Sequence, residues 1–210
     1  MILIHTDGGI VPGRVPGRGI AGGTGVVAAH QVPGAVHLLA ESSEYHPGDT
    51  TNQVMELEAA RRGLAFWEAV RGRSALHADL PVTLCSDSAY VINCLTAGWW
   101  VKWVLKTGWK NAAGNPVENI QQWRALLSRV RGVHDCLASR LGPSPWRRLG
   151  EKDGAMARAA LEARPVAFQK VKGHSTDALN NRADALATVG KNGWAASAYF
   201  GALSDGERAP

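Results

Sequence analysis

Short apolar runs along the chain predict the strands of a sheet. The first, "MILIHT", opens the sequence, and "VVAAHQV" and "AVHLLAES" follow it, joined by Pro33-Gly34. A Pro-Gly pair between two such runs is typical of a tight turn, so these runs predict a hairpin. Two later runs, "PVTLCSD" and "VAFQKV", predict two more strands. Residues 7–25, which are rich in glycine and proline, predict a loop before the hairpin.

Helical periodicity occupies most of the remaining chain. In 54–70, Leu57, Ala60, Leu64 and Trp67 recur on one face, so this segment predicts an amphipathic helix. Other segments predict further helices: one starting near Ser86 or Asp87, a tryptophan-rich region over 99–131 broken at "NAAGNP", 155–164, and 177–190.

This order of elements predicts the fold class and the domain organisation. A hairpin followed by alternating helices and strands is typical of an α/β domain with a mixed sheet flanked by helices. We predict one domain over 1–190, with an insertion at about 132–165 before the last strand. The tail, 191–210, has no clear period and is expected to be partly disordered. For the insertion we favour a solvated excursion over a nucleic-acid contact or a docking surface for another protein.

The composition indicates the cellular location of the protein more clearly than its chemical activity. No apolar run is long enough for a membrane span, and the start lacks the basic region of a cleaved signal. The three cysteines, Cys85, Cys94 and Cys136, lack CxxC spacing, which argues against a disulfide framework or a structural zinc site. We therefore expect a cytoplasmic protein. The net charge of +5 permits a polyanionic partner without requiring one.

Four acidic side chains are candidates for chemistry. Asp7 and Asp87 each follow an apolar strand, and sites in open α/β sheets form at the carboxyl ends of strands. Taken singly, Asp7 could belong to an Asp-Gly turn and Asp87 could cap a helix. Glu56 lies near the start of its helix beside the apolar face, and Asp184 lies in the last helix, where a solvated aspartate would be ordinary.

Together, four such carboxylates would suit hard divalent cations. Mg²⁺ prefers oxygen ligands and is often shared with substrate phosphates. Two ions about 4 Å apart can clamp the attacking and leaving oxygens of a phosphodiester displacement. Like charges brought together would otherwise repel, so such a cluster needs cations. Spacing along the sequence does not establish that the four converge.

Five ordered sequence blocks carry a resemblance to a known family. "HTDGG", "TTNQVMELEAARRGL", "LCSDSAYVINCL", "GWKNAAGNPVENIQQW" and "VKGHSTDALNNRADALA" resemble type 1 ribonuclease H along most of the chain. The resemblance implies a mixed five-stranded sheet and an endonuclease that cuts the RNA strand of RNA/DNA hybrids. It also implies 5′-phosphate and 3′-hydroxyl products. By motif, the four metal-binding catalytic acids are Asp7, Glu56, Asp87 and Asp184, holding two Mg²⁺ ions, with Mn²⁺ as a substitute.

The resemblance also implies positions that contact the nucleic acid. Thr51 and Asn52 match residues that touch the hybrid, and Thr51 with Asn119 matches part of a pocket for a DNA-strand phosphate. Such donors position a duplex without reading its sequence. The segment "WWVKWVLKTGWK" resembles the basic substrate handle of the family. From it we predict contacts by Lys102, Lys106 and Lys110, which form one stripe if helical, and by Trp103.

His174 and the loop after Asp7 complete the sequence-based hypothesis. His174 lies on a glycine turn and suits a general acid/base near neutral pH, and Asn180 is a candidate support for Asp184. Arg14 and Arg18 lie in a loop longer than the family's usual one, and contact with the hybrid or with solvent is equally expected. We expect a monomer with the hybrid as its partner, no membrane association and no obligate protein partner.

Two rival functions remain open from sequence. A catalytically dead hybrid- or RNA-binding module is disfavoured because all four acids are present. A nuclease of the same fold acting on another substrate, as in transposases or junction resolvases, is disfavoured by the ordered "MEL", "SDS" and "VKGH" blocks.

Overall fold

Six strands form a single mixed sheet in the computed structural model, which describes residues 1–13, 20–71, 77, 80–141 and 166–199. The strand order is β5-β4-β1-β2-β3-β6. β1 runs antiparallel to β2 and parallel to β4, and β4 runs parallel to β5. The predicted mixed α/β class is thus confirmed. The strands are β1 Ile2–Ile10, β2 Gly22–Val32, β3 Ala35–His46, β4 Val82–Ser86, β5 Val166–Lys170 and β6 Ala196–Tyr199.

The strand count corrects the expectation of five. β6 lies in the tail that was expected to be partly disordered, and its residues pair antiparallel with Ala40–Ser43 of β3. The Ser42 and Ser197 hydroxyls are also 3.1 Å apart across this pair. The free edge of β3 gives the tail backbone hydrogen-bond partners, which apolar periodicity alone does not reveal.

Helices and one π-helical turn complete the described structure. The predicted helix over 54–70 and the hairpin at Pro33-Gly34 are both confirmed. Several parts of the chain on which predictions were made lie outside the described residues. They are Arg14, Arg18, most of the predicted insertion, the helix predicted over 155–164 and the last residues of the tail. No described helix is long and apolar enough to cross a membrane. The helices are α1 Asn52–Arg71, α2 Ala89–Thr96, α3 Trp99–Lys102, the π-helical turn Trp103–Thr107, α4 Ile120–Leu141 and α5 Ala178–Lys191.

Both ends of the glycine-rich segment after Asp7 are strand, so the predicted loop over 7–25 is too long. β1 continues to Ile10 and β2 already begins at Gly22, with Asp7 paired to Gly25 in register. An Asp-Gly turn at Asp7 is therefore wrong. Glycine is a poor strand former in isolation, but in this sheet it serves the close packing of helices on the strands.

The sheet lies between two helical layers. Val26 of β2 belongs to the main core with Leu64 and Trp67 of α1, whereas Val27 packs with Ala183 and Leu186 of α5. Successive strand residues point to opposite faces, so α1 and α5 cover opposite sides of the sheet. α4 packs against α1 and contributes Trp123, Leu126 and Val130 to the main core.

Two contacts fix α5 on its face of the sheet. The first is backbone proximity at Gly25, where an added Cβ would lie 2.0 Å from the Ala183 carbonyl oxygen. The second is a bidentate pair in which Arg182 donates to the two carboxylate oxygens of Glu41, at 2.8 and 2.6 Å. Since Gly25 is directly opposite Asp7, the same approach brings α5 next to Asp7.

Gly25→Ala should destabilise the protein by roughly 1–3 kcal/mol or more, because backbone atoms of α5 occupy the space that the new methyl group needs. Urea unfolding followed by circular dichroism measures the loss. Gly9→Ala is the matched control on β1, where the nearest atom to an added Cβ is 3.8 Å away. Equal midpoints for the two variants would contradict the packing of α5 described above.

Candidate active site

Three of the four predicted acids converge at one end of the sheet. Carboxylate oxygens of Asp7, Glu56 and Asp87 all lie within 4.8 Å of one another. The parallel pairing of β1 with β4 ends at His5 and Cys85. Asp7 and Asp87 follow that end by two residues each, so the two strands deliver their carboxylates to the same place. Spacing along the sequence left this convergence open.

A missing side chain on β1 lets Glu56 reach the other two acids. A Cβ on Gly8 would lie 2.2 Å from the Met55 carbonyl oxygen and 2.6 Å from the Glu56 nitrogen. The backbone of α1 therefore touches the backbone of β1 at the position from which the Glu56 side chain projects. Thr51 caps this helix by accepting a hydrogen bond from the Val54 amide at 3.2 Å, so Glu56 has no capping role.

Asp87 is likewise free of a capping role. The N-cap of α2 is Ser88, whose hydroxyl accepts from the Val91 amide at 3.3 Å. The predicted helix start at Ser86 or Asp87 is therefore slightly too early. Because Ser88 takes over the cap, the Asp87 carboxylate remains directed to the acid cluster.

Asp184 approaches from the opposite layer of helices. It is half-buried on α5 and lies near enough to raise the pKa of Asp7, although it stands outside the tight group of three. Asn180, one turn earlier, is buried, and its Oδ1 atom has no hydrogen-bond partner among the described residues. Its predicted role as a support for Asp184 remains a prediction.

Crowding and burial make the cluster electrostatically unfavourable without a cation. Burial, and then the charges of Asp87 and Asp184, raise the pKa of Asp7 from 3.8 to about 7. Burial, and then Asp7 and Asp87, raise the pKa of Glu56 from 4.5 to about 9. Within the part of the chain that the structure describes, the buried Oε2 atom of Glu56 also lacks a hydrogen-bond partner. A hard divalent cation supplies what these oxygens lack, so the donor set fits Mg²⁺ or Mn²⁺.

His174 lies on an exposed turn that touches the cluster. Its backbone is left-handed, with φ of 48°. A Cβ on the preceding Gly173 would lie 2.4 Å from Asp87 Oδ2, so only glycine lets the turn come this close. The turn continues into α5, whose N-cap Asp177 accepts from the Asn180 amide at 3.0 Å. His174 is thus held near the acids without being among them.

The predicted handle is helical only in part. Lys102 ends α3 and Lys106 lies in the π-helical turn, whereas Lys110 follows the helical segment and bridges to Pro116. All three lysines are exposed. A single helical stripe of the three is therefore wrong for Lys110, because Gly108 adopts a left-handed conformation and ends the helical segment.

An aromatic cluster lies beneath the handle. Trp103 is half-buried, with ring centroids 6.2 Å from Trp109 and 5.7 Å from Trp123. Trp100 is fully buried, whereas Trp99 is 50% exposed. The tryptophan of this segment that is most open to a ligand is therefore Trp99, and the predicted substrate contact by Trp103 remains a prediction.

The predicted hydroxyl and amide contacts lie on two helix starts. Thr51 and Asn52 are exposed where α1 begins. Asn119 precedes α4 in a left-handed conformation, with φ of 57°, and its Nδ2 donates to the Tyr90 hydroxyl at 3.2 Å. Their binding of nucleic acid remains a prediction.

Sequence reasoning missed one charged side chain near the cluster. Lys191, the last residue of α5, lies near enough to lower the pKa of Asp7. Its Nζ atom is 3.8 Å from the position of a Cβ on Gly9. In the sequence Lys191 marks only a helix end, and the signal that could have found it is Gly9, which leaves room above β1.

Comparison with known proteins agrees with this geometry. The family model for RNase H matches residues 1–137. A ribonuclease H of Chlorobaculum parvum is 34% identical over 188 residues, covering 90% of this chain and 93% of the relative. One of Caldicellulosiruptor saccharolyticus is 32% identical over 186 residues, covering 89% and 92%. The chain belongs to the ribonuclease H family.

Solved structures show the same fold. LC9-RNase H1, a type 1 RNase H with the type 2 active-site motif, superposes with a TM-score of 0.60 at 20% identity, covering 95% of this chain and 77% of that one. The RNase H domain of PFV superposes with a TM-score of 0.56 at 21% identity, covering 91% and 94%. The resemblance to type 1 ribonuclease H is thus confirmed.

Without metal, stability should fall as pH rises from 7 to 8. Unfolded Glu56 has lost its proton in this range, whereas folded Glu56 keeps it up to a pKa of about 9. The folded state therefore holds the extra proton, and the free energy of unfolding falls by up to about 1.4 kcal/mol per pH unit for one proton. Urea unfolding in EDTA measures this slope, and Glu56→Gln should flatten it.

Glu68→Gln is the control for this pH dependence. Glu68 lies on the same helix and pairs with Arg129 at 2.8 Å, away from the acid cluster. Its variant should keep the wild-type slope. Equal slopes for wild-type protein and Glu56→Gln would mean that Glu56 is ionised in the folded state.

Proposed function

We propose that this protein is an endoribonuclease that hydrolyses the RNA strand of RNA/DNA hybrids by a two-metal-ion mechanism. The observation that carries the proposal is the cluster of Asp7, Glu56 and Asp87, with carboxylate oxygens within 4.8 Å and Asp184 beside it. Such a donor set at strand ends suits phosphodiester chemistry. The relatives named ribonuclease H match about nine-tenths of the chain, which supports the same activity.

The four carboxylates would hold two Mg²⁺ ions, with Mn²⁺ as a substitute. Bound there, the ions would activate water and stabilise charge on the phosphate, giving 5′-phosphate and 3′-hydroxyl ends. The protein contributes ligands from two strands and two helices, held in place before any metal arrives. Burial around Asp7 and Glu56 strengthens their attraction for a cation, because water screens the charges less.

His174 would move a proton rather than hold a metal. The imidazole lies on an exposed turn whose Gly173 contacts Asp87, so it can reach a group bound beside the acids. Histidine side chains in general suit proton transfer near neutral pH. Loss of such a group slows a reaction but leaves the rest of the site intact.

The hybrid would bind across the end of the sheet that carries the acids. LC11-RNase H1, whose structure was solved with an RNA/DNA hybrid, superposes with a TM-score of 0.50 at 20% identity. The exposed Lys102, Lys106 and Lys110 suit phosphates, while Thr51 and Asn52 offer donors to backbone and sugar. Discrimination for RNA would come from its 2′-hydroxyls.

The proposal extends to the domain organisation, the oligomeric state and the cellular location of the protein. We infer one catalytic domain over 1–190 that acts as a monomer in the cytoplasm, with 132–165 as an insertion and with β6 of the tail added at the edge of its sheet. A catalytically dead binding module is disfavoured because the crowded acids destabilise the metal-free fold, a cost that binding alone does not require. A nuclease of this fold with another substrate remains the alternative that the following assay excludes.

Asp7→Asn should abolish cleavage of a labelled RNA/DNA hybrid almost completely, because Asp7 is central to the acid cluster. His174→Ala should retain measurable activity, because another proton carrier can replace a general acid/base. Cleavage rates are measured with Mg²⁺ and with EDTA. Single-stranded RNA, duplex RNA and duplex DNA serve as substrate controls.

Glu68→Gln again serves as the matched carboxylate control and should cleave like wild type. Activity surviving in Asp7→Asn, or equal cutting of duplex DNA, would refute the proposed function. Equal losses in Asp7→Asn and His174→Ala would instead show that His174 has a different role.

Replacing Lys102, Lys106 and Lys110 together with alanine should raise KM and spare kcat, because exposed ammonium groups position phosphates without touching the reacting atoms. The dependence of log KM on log salt concentration should flatten by about 0.9 for each phosphate that the variant no longer neutralises. The triple Lys→Arg variant retains the charge and should behave like wild type. An unchanged salt slope in the alanine variant would rule out the handle.

A further inference from the structure

Lys191 is a cation that lies close to the acid cluster. Its side chain is half-buried, and within the described parts of the chain it makes no salt bridge and no side-chain hydrogen bond. Its charge acts on Asp7 from beyond ion-pair distance. Confining a lysine side chain costs entropy, and no hydrogen bond or ion pair with the described residues offsets that cost.

The position of Lys191 is fixed by the packing of α5. A Cβ on Gly23 would lie 2.0 Å from the Lys191 backbone nitrogen, so the last turn of α5 touches β2 at that point. From there the side chain runs across β1 at Gly9, with Cδ 3.9 Å and Nζ 3.8 Å from the position of a Cβ on that residue. The ammonium group is thus directed over the strand that carries Asp7.

A second polar group faces the same space. The Oδ1 atom of Asn52, at the start of α1, lies 4.0 Å from that position on Gly9. Lys191 and Asn52 therefore border one spot above β1, two residues beyond Asp7. The Oδ1 atom of Asn52 accepts hydrogen bonds, so the Lys191 ammonium group is the donor that a ligand oxygen placed there would meet.

The chemistry of the spot indicates a phosphate. An ammonium group has three donors and no acceptor, and a phosphate oxygen accepts such hydrogen bonds with full or partial negative charge. Asp7, whose pKa Lys191 lowers, would be occupied by a bound cation, so the ammonium group would then be open to a ligand oxygen. A metal ion bound by the acids would offset their negative charge, so they would attract the Lys191 ammonium group less.

We propose that Lys191 is a positioning residue that holds a non-bridging phosphate oxygen of the nucleic acid beside the acid cluster. The inference rests on the proposed function and adds a contact on the α5 side of the cluster, separate from Lys102, Lys106 and Lys110. Two cationic contacts on different sides of the acids would fix the direction in which the backbone crosses them.

The two possible roles of Lys191 predict opposite changes. As a phosphate contact, its loss weakens hybrid binding but leaves Mg²⁺ binding unchanged or stronger, because a competing positive charge is gone. As a counter-ion needed only to build the site, its loss disturbs the acids and weakens both. Measuring the two affinities separately therefore distinguishes the roles.

The experiment compares Lys191→Met, Lys191→Arg and Arg129→Ala in the full chain. Arg129 lies on α4 and pairs with Glu68, so its loss removes one positive charge away from the site. Three quantities are measured: kcat/KM on an RNA/DNA hybrid in Mg²⁺, hybrid affinity in EDTA by fluorescence anisotropy, and Mg²⁺ affinity by calorimetry without nucleic acid.

Lys191→Met should lower kcat/KM and hybrid affinity about tenfold, as expected for one charged hydrogen bond, without weakening Mg²⁺ binding. Lys191→Arg should recover most of the loss. Hybrid affinity equal to that of Arg129→Ala, or a parallel loss of Mg²⁺ affinity, would overturn the inference. If wild-type protein neither binds nor cleaves the hybrid, the proposed function itself fails, and the two failures are thereby distinguished.

Discussion

Repulsion among buried carboxylates is the constraint on which this structure depends. Oxygens of Asp7, Glu56 and Asp87 lie within 4.8 Å of one another, and the pKa of Glu56 rises to about 9. A flexible chain would separate such groups, because each gains by returning to water. The rest of the fold must therefore hold the acids together until a cation compensates their charge. Both faces of the sheet contribute to that restraint, since the acids come from β1, α1, the end of β4 and α5.

Close backbone contact provides the restraint. Gly8 allows α1 to touch β1 at Glu56, and Gly25 allows α5 to touch β2 opposite Asp7. A third glycine, Gly173, brings the His174 turn against Asp87. In each case the missing side chain of the glycine lets two segments come into direct contact, and this contact fixes the position of a functional group in the site. Packed backbones deform little, so the positions of the acids depend weakly on the charges that they carry.

Much of this could be predicted from the sequence, and the failures have a common cause. The apolar face of α1 identifies its core residues, and the motif blocks identify Asp7 and Glu56 as members of one site. The glycines around Gly25 resemble a loop because local propensity ignores a helix arriving from 160 or so residues further along the chain. β6 and Lys191 also depend on distant partners that periodicity does not encode. Sequence motifs therefore identify the acidic residues of the site, whereas contacts between distant parts of the chain determine how those residues are arranged.

The proposed substrate poses a second electrostatic problem that the same architecture addresses. A nucleic acid backbone must approach a cluster of four carboxylates, and like charges oppose that approach. Cations bound by the acids would remove the repulsion at the centre, but phosphates on either side would still need partners. Lys102 and Lys106 lie on the helical segment after α2, whereas Lys191 ends α5 on the other face of the sheet. Because these charges come from separate elements, they can attract the backbone without neutralising the acids. Metal binding and nucleic acid binding then reinforce each other, since each relieves a repulsion that the other would face alone.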